Sequence, residues 1–276
     1  MHTLRLYLEN VAGDWFGWIE DHPGAYCRGA TPHDAERAAP RAFADYLKWH
    51  KSNGEPLPPE LADVTSADFE TSVVETVAGA AGAPWEARHF LPDDARHLGH
   101  HDLKLYIRLL RYSRTSLVQA AASISPHEWD TAPPGERSIR ACLLSLAEGE
   151  SIMLSRIGIE PTLRTHPDPL TTLGRIRAAL ESAAAEATER RENPIVETDA
   201  GIWSLSKVLR LAVWHERHCA EQIAVRSNPT AYMRSVMRSE AVVHHRDVIH
   251  RSDNPVAPAE EKSAVARHTH ASGYYY

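Results

Sequence analysis

The chain opens on a period of two. Leu4, Leu6 and Leu8 fall on one side of an extended segment, with Thr3, Arg5 and Tyr7 on the other, which predicts a half-buried strand. Trp15 to Glu20 predicts an antiparallel neighbour across the turn-like Ala12-Gly13-Asp14, and His22-Pro23-Gly24 breaks the chain before Ala25-Tyr26-Cys27. Thr31-Pro32-His33-Asp34 reads as a helix start, with Thr31 as N-cap and Pro32 in the first turn. This helix should run to about Lys51 and carry Ala35, Ala38, Ala42, Tyr46 and Trp49 inward. Residues 52–66 hold Gly54, Pro56, Pro58 and Pro59 and read as a linker. The β-branched Val73, Val74 and Val77 make Phe69 to Ala78 a further strand candidate.

From Asp102 to Ile223 the period changes to that of a helix. Leu103, Ile107, Leu110, Arg114, Leu117 and Ala121 mark a first long helix. Ser138 to Ile157 makes a second, striped by Ile139, Leu143, Leu146, Met153 and Ile157. Pro169 to Glu192 makes a third, and Ser204 to Arg226 a fourth, with Ser204 or Ser206 as cap. Four helices joined by Pro-containing loops predict an antiparallel four-helix bundle. The expected fold is therefore α+β: a small ββ(β)α module over 1–52, a linker and connecting segment over 53–100, the bundle over 101–228, and a polar, disordered tail over 229–276.

The fourth helix carries the most unusual pattern. Trp214-His215-Glu216-Arg217-His218-Cys219-Ala220-Glu221-Gln222-Ile223 gathers His215, His218, Cys219 and Gln222 on one face, continuing Val208, Leu211 and Ala212. Arg210, Arg217 and Glu221 lie on the other side and read as solvated. Imidazole, thiol and amide thus point where a core should be, and such groups are costly unless paired or ligating. Each also has a plain structural use: His215 as a buried, bonded histidine, Cys219 as a small core residue. Glu150 interrupts the second helix's stripe between Leu146 and Met153 and could pair with an arginine or reach solvent. The dipeptide His215-Glu216 begins the zinc-protease pattern, but Cys219 stands where its second His belongs.

Composition narrows the function classes. The 276 residues carry a formal charge of −7, which disfavours a nucleic-acid-binding role. No apolar run approaches the roughly 20 residues a membrane span needs, and the N-terminus lacks a signal-peptide core, so a cytoplasmic location is expected. Cys27, Cys142 and Cys219 are too widely spaced for a disulfide framework and fit reduced thiols.

Two segments carry family likenesses. Pro23-Gly24-Ala25-Tyr26-Cys27-Arg28-Gly29-Ala30-Thr31-Pro32-His33-Asp34-Ala35 resembles the small module of HicB-like antitoxin proteins, which implies a surface for a partner protein. Residues 138–150 and 207–223 resemble the second and fourth helices of the DinB/YfiT-like superfamily, whose fourth-helix pattern is His-Glu-x-x-His-x-x-Gln-Ile. That likeness implies a four-helix bundle in which one His of helix two and an i, i+4 His pair of helix four hold a divalent metal such as Zn or Ni. Metal-dependent hydrolysis or transfer of a small thiol would follow. At those positions this chain has Ser145 and Cys219, and only His215 matches. A repaired ligand set would be His215, Cys219 and Glu150, with Ser145, Glu148 and His218 nearby. The alternative is a non-catalytic regulatory protein that binds a small molecule or a partner, or forms a homodimer, through the module and the bundle.

Overall fold

The computed structural model describes residues 1–11, 13–78, 89–132, 137–160 and 166–227. Two antiparallel strands, β1 (His2–Val11) and β2 (Asp14–Ile19), reverse at Gly13, whose φ of +95° suits a residue without a side chain. A short β3 (Tyr26–Gly29) pairs antiparallel with β2, and α1 (Pro32–Ser52) follows, with the Thr31 hydroxyl accepting from the Asp34 amide. The connecting segment carries the strand expected in it. Phe69–Val77 forms β4, which returns parallel to β1 and completes a sheet of order β3-β2-β1-β4.

Four helices follow: α2 (His100–Ala122), α3 (Ile139–Arg156), α4 (Pro169–Arg190) and α5 (Leu205–Ser227). The architecture is the α+β arrangement that the change of period predicts. Ser138 and Asp168 cap α3 and α4 through their side chains, and Arg191 ends α4 in the left-handed region at φ 55°. Between α4 and α5 the chain makes an unforeseen hairpin, β5 (Val196–Thr198) with β6 (Gly201–Trp203), which delivers Trp203 fully buried into the core. Ser204, one of the two expected caps, accepts from the Lys207 amide at 3.2 Å.

Both faces of the main sheet are covered, so β1 is not half-buried as its alternation suggests. Leu4, Leu6, Leu8, Ile19 and Cys27 pack on α1, while Tyr7, Val11, Phe16 and Trp18 join the core of the four helices. The sheet lies between α1 and the bundle, and α5 is the helix it meets. The inward stripe of α1 is also shifted from its expected phase. Ala35, Ala39, Phe43, Tyr46 and Leu47 are buried, whereas Ala38, Ala42 and Trp49 are only partly so. Trp49 turns sideways instead and donates from Nε1 to Ser116 of α2 at 3.0 Å. The tail expected over 229–276 lies outside the described residues. Among the described residues, no helix is long and apolar enough to cross a membrane.

Two histidines are built into the α1 layer. The His22 ring lies 4.5 Å from Phe43 and the His50 ring 4.3 Å from Tyr46, and burial pushes both imidazoles down to about 4. The unfolded chain protonates them near their ordinary value of about 6.5. Stability that is fully present above that value is therefore lost as the pH falls through about 4. Calorimetry should show the melting temperature dropping over this window, with a shallower drop in His50→Met; an unchanged slope in that variant would exclude His50 as a contributor.

Candidate functional site

The segment with the most unusual sequence is also the most enclosed helix. Along α5, residues 205–214 are all buried, and of Arg210, Arg217 and Glu221, which read as solvated, only Glu221 is exposed. The reason is tertiary: one side of α5 faces the other helices and the opposite side faces the N-terminal sheet.

The bundle side holds a polar cluster to which all four helices contribute. Glu216 of α5 is completely buried. Its carboxylate accepts from the Ser113 hydroxyl at 2.6 Å and from Arg114 Nε at 2.7 Å and Nη2 at 2.5 Å, all from α2. Arg177 of α4 places Nη2 2.7 Å from the same carboxylate and donates from Nη1 to the Leu110 carbonyl at 2.6 Å. Glu150 of α3 is the odd member. It is buried, and neither carboxyl oxygen has a hydrogen-bond partner among the described residues. Burial, and then the nearby charge of Glu216, push its carboxyl up to about 8, against the opposing pull of Arg177 and Arg114. Both effects favour the neutral acid. Burial also pushes the Cys219 thiol far up, with Cys142, Glu216 and Glu150 adding to the effect.

The sheet side consumes the remaining polar residues. His218 stacks on Trp214 with ring centres 5.6 Å apart, lies 3.2 Å through Nδ1 from the Tyr26 hydroxyl, and has the Gln222 amide 3.0 Å from Nε2. The Gln222 amide donates to Nε2, so Nδ1 carries the proton toward Tyr26, which in turn donates to Glu221 at 2.5 Å. Arg217 donates to the Gly24 carbonyl and lies over the rings of Trp49 at 4.5 Å, Tyr46 at 5.2 Å and Tyr26 at 5.7 Å. Gly24 itself sits at φ +80°, and a Cβ there would stand 2.3 Å from Val213 Cγ1 of α5. One turn earlier along α5, Arg210 makes a two-pronged ion pair with Asp94, at 2.8 and 2.6 Å, beneath the Trp18 ring.

The residues expected to hold a metal are thus distributed. His215 stacks on its neighbour Trp214 at 5.4 Å, Cys219 is buried as a thiol, Glu150 points into the cluster around Glu216, and His218 belongs to the Tyr26 contact. Ser145 accepts a hydrogen bond from Arg137, and Glu148 is exposed. Among the described residues no three His, Cys, Asp or Glu side chains stand together as a metal-holding group. Cys27, Cys142 and Cys219 form no disulfide with one another.

Sequence reasoning missed Arg114, Arg177 and Asp94. The first two left a signal, since each is a charged residue at a stripe position, Arg114 between Leu110 and Leu117 and Arg177 beside Ile176 and Leu180. Asp94 left none, because it sits in an irregular segment ahead of α2. No protein-family model matches the chain, and no curated protein or solved structure matches it either.

Proposed function

We propose that this chain is a non-catalytic binding or regulatory protein, in which a HicB-like module is clamped to a DinB-like bundle and offers a surface for assembly. The observation that carries this reading is the use made of α5. The polar residues that a metal enzyme of this kind would turn toward a reactant are engaged in joining the sheet to the helices or in filling the core. A divalent-metal hydrolase or thiol transferase would need His215, Cys219 and Glu150 to come together as ionised or neutral donors, and their surroundings oppose it.

The surface favoured for assembly is the outer edge of β4. Among the described residues no strand pairs with it, and Ser72, Val73, Val74 and Glu75 are exposed in succession. An edge rich in Val and Thr, without Lys or Pro, invites pairing by another strand. The occupant we favour is β4 of a second copy. Antiparallel pairing about Val73 sets Glu70 against Thr76 and Thr71 against Glu75, so no two carboxylates meet across the twofold axis. Light scattering on a sizing column should give twice the 30.7 kDa chain mass, and Val74→Lys should return the monomer. A monomeric parent chain would defeat this assembly. Metal analysis of the purified protein and of His215→Ala should find no stoichiometric Zn, Ni, Mn or Fe. A full equivalent in the parent that disappears in the variant would restore the metal enzyme.

A further inference from the structure

We propose that Glu150 and Arg177 together hold a buried hydration site, ordered water that bridges α3 to α4 in the core of the helical part. Four buried polar atoms on two packed helices carry the argument. Glu150 is 2% exposed and Arg177 8%. Both carboxyl oxygens of Glu150, and Nε and Nη2 of Arg177, are buried without a hydrogen-bond partner among the described residues. The two helices pack against each other, and of the two arginines that draw on Glu150, Arg177 has the larger effect. Polar atoms inside proteins are nearly always bonded to protein or to water, because an unmet donor or acceptor keeps its full desolvation cost.

The surrounding side chains turn elsewhere. Arg177 Nη1 is anchored on the Leu110 carbonyl at 2.6 Å, and Nη2 stands 2.7 Å from Glu216 Oε1 without the alignment of a hydrogen bond. These contacts hold the guanidinium toward α2 and α5 and leave its Nε edge over. Arg114 turns Nε and Nη2 to Glu216, and Nη2 also reaches the Leu173 carbonyl at 3.1 Å. Ser113 likewise donates to Glu216.

The chemistry of the four atoms selects what bonds to them. A cation placed here would meet the guanidinium groups of Arg177 and Arg114, and an anion would meet the carboxylate of Glu216. That leaves a neutral molecule able both to donate to Glu150 and to accept from Arg177. Water does both through one oxygen, and it serves the Glu150 carboxyl in either protonation state. It is also the smallest such molecule, which suits a site between packed helices. A buried water makes about three hydrogen bonds, so four atoms need one or two molecules. A bridge of this kind is nearly as favourable as a direct hydrogen bond. It gives α3 a polar tie to α4 at the one position where its apolar stripe is broken.

A crystal structure of the full chain that resolves ordered water, together with oxygen-17 magnetic relaxation dispersion in solution, tests the site. Density for water should lie within about 3.2 Å of a Glu150 carboxyl oxygen and of Arg177 Nε or Nη2. In solution the parent chain should hold about one or two more long-lived water molecules than the double variant Glu150→Leu, Arg177→Met. Glu150→Leu alone serves for the comparison if the double variant does not fold. Glu150→Gln, whose amide still donates and accepts, should retain them. A direct Glu150–Arg177 ion pair in the crystal, density for a larger molecule between the two side chains, or equal long-lived water in parent and variant would each overturn the proposal.

Discussion

Asp94→Ala is expected to destabilise the protein by about 3–5 kcal/mol, the cost of leaving one partner of a buried ion pair without the other. Asp94 is 1% exposed and Arg210 5%. The carboxylate also accepts from the Leu91 amide at 2.9 Å, and the Asp94 carbonyl accepts from the Ser204 hydroxyl at 2.6 Å. One residue thus fixes the turn before α2, the start of α5 and the guanidinium that lies 5.1 Å from the Trp18 ring centre. Removing its side chain leaves Arg210 charged between the sheet and α5, where water cannot replace the lost acceptors. In denaturant unfolding the midpoint should fall strongly. The double variant Asp94→Leu, Arg210→Met should recover most of the loss, because an apolar pair of similar size carries no stranded charge. Equal destabilisation in the single and double variants would show that the cost lies in packing and not in the charge.

Glu216→Ala should have the second-largest effect, about 3 kcal/mol, at the lower end of the range for a broken buried pair. Two hydrogen-bond donors, Ser113 and Arg114, lose their shared acceptor, and Arg177 loses its ion-pair partner. The loss is tempered because Glu150 lies in the same cluster. Burial, the larger cause of its raised value, remains, but without the Glu216 charge its carboxyl moves down and it can accept from the freed arginines. The mutation should therefore both lower the stability at pH 7 and flatten its decline toward alkaline pH. Thermal melts of the parent and the variant across pH 5 to 9 would check both. A variant with the parent's full alkaline decline would mean that Glu150 does not feel Glu216.

The two electrostatic clusters serve opposite sides of α5. Arg210 ties the segment before α2 to α5 through Asp94 and meets the sheet at Trp18, while Arg217 ties α5 to the N-terminal module at Gly24, Tyr26, Tyr46 and Trp49. The Glu216 cluster ties α2 and α4 to α5, with Glu150 of α3 buried beside it.

Local patterns suffice wherever local chemistry decides the outcome. Thr31, Ser138 and Asp168 cap helices because a short side-chain oxygen can satisfy amides two or three residues on, and this is visible in four consecutive letters. The strands β1 and β2, the four long helices and the loops carrying Gly13 and Gly24 follow from periods and from residues that permit positive φ. The stripe of α1 differs from its expected phase because alanine fits either a core or a flank, and Phe43 settles the phase only when the sheet is present. Glu150 is legible as a break in an apolar stripe, and Arg114 occupies the same kind of position in another.

The arrangement around α5 is not legible, for a physical reason. A helical period distinguishes one apolar face from one polar face, and it predicts that the polar face meets water. Arg210 and Arg217 meet Asp94, Trp49, Tyr46 and the Gly24 carbonyl instead. These partners stand between 116 and 193 residues away along the chain. The long arginine stems pack while their charged ends are answered. By itself the sequence determined β1, β2 and the long helices, the caps at Thr31 and Ser204, and the presence of a polar, His- and Cys-bearing helix within an α+β fold. Only the tertiary structure decided that this helix is enclosed on both sides, because whether a charged residue is solvated or paired depends on partners that no local pattern contains.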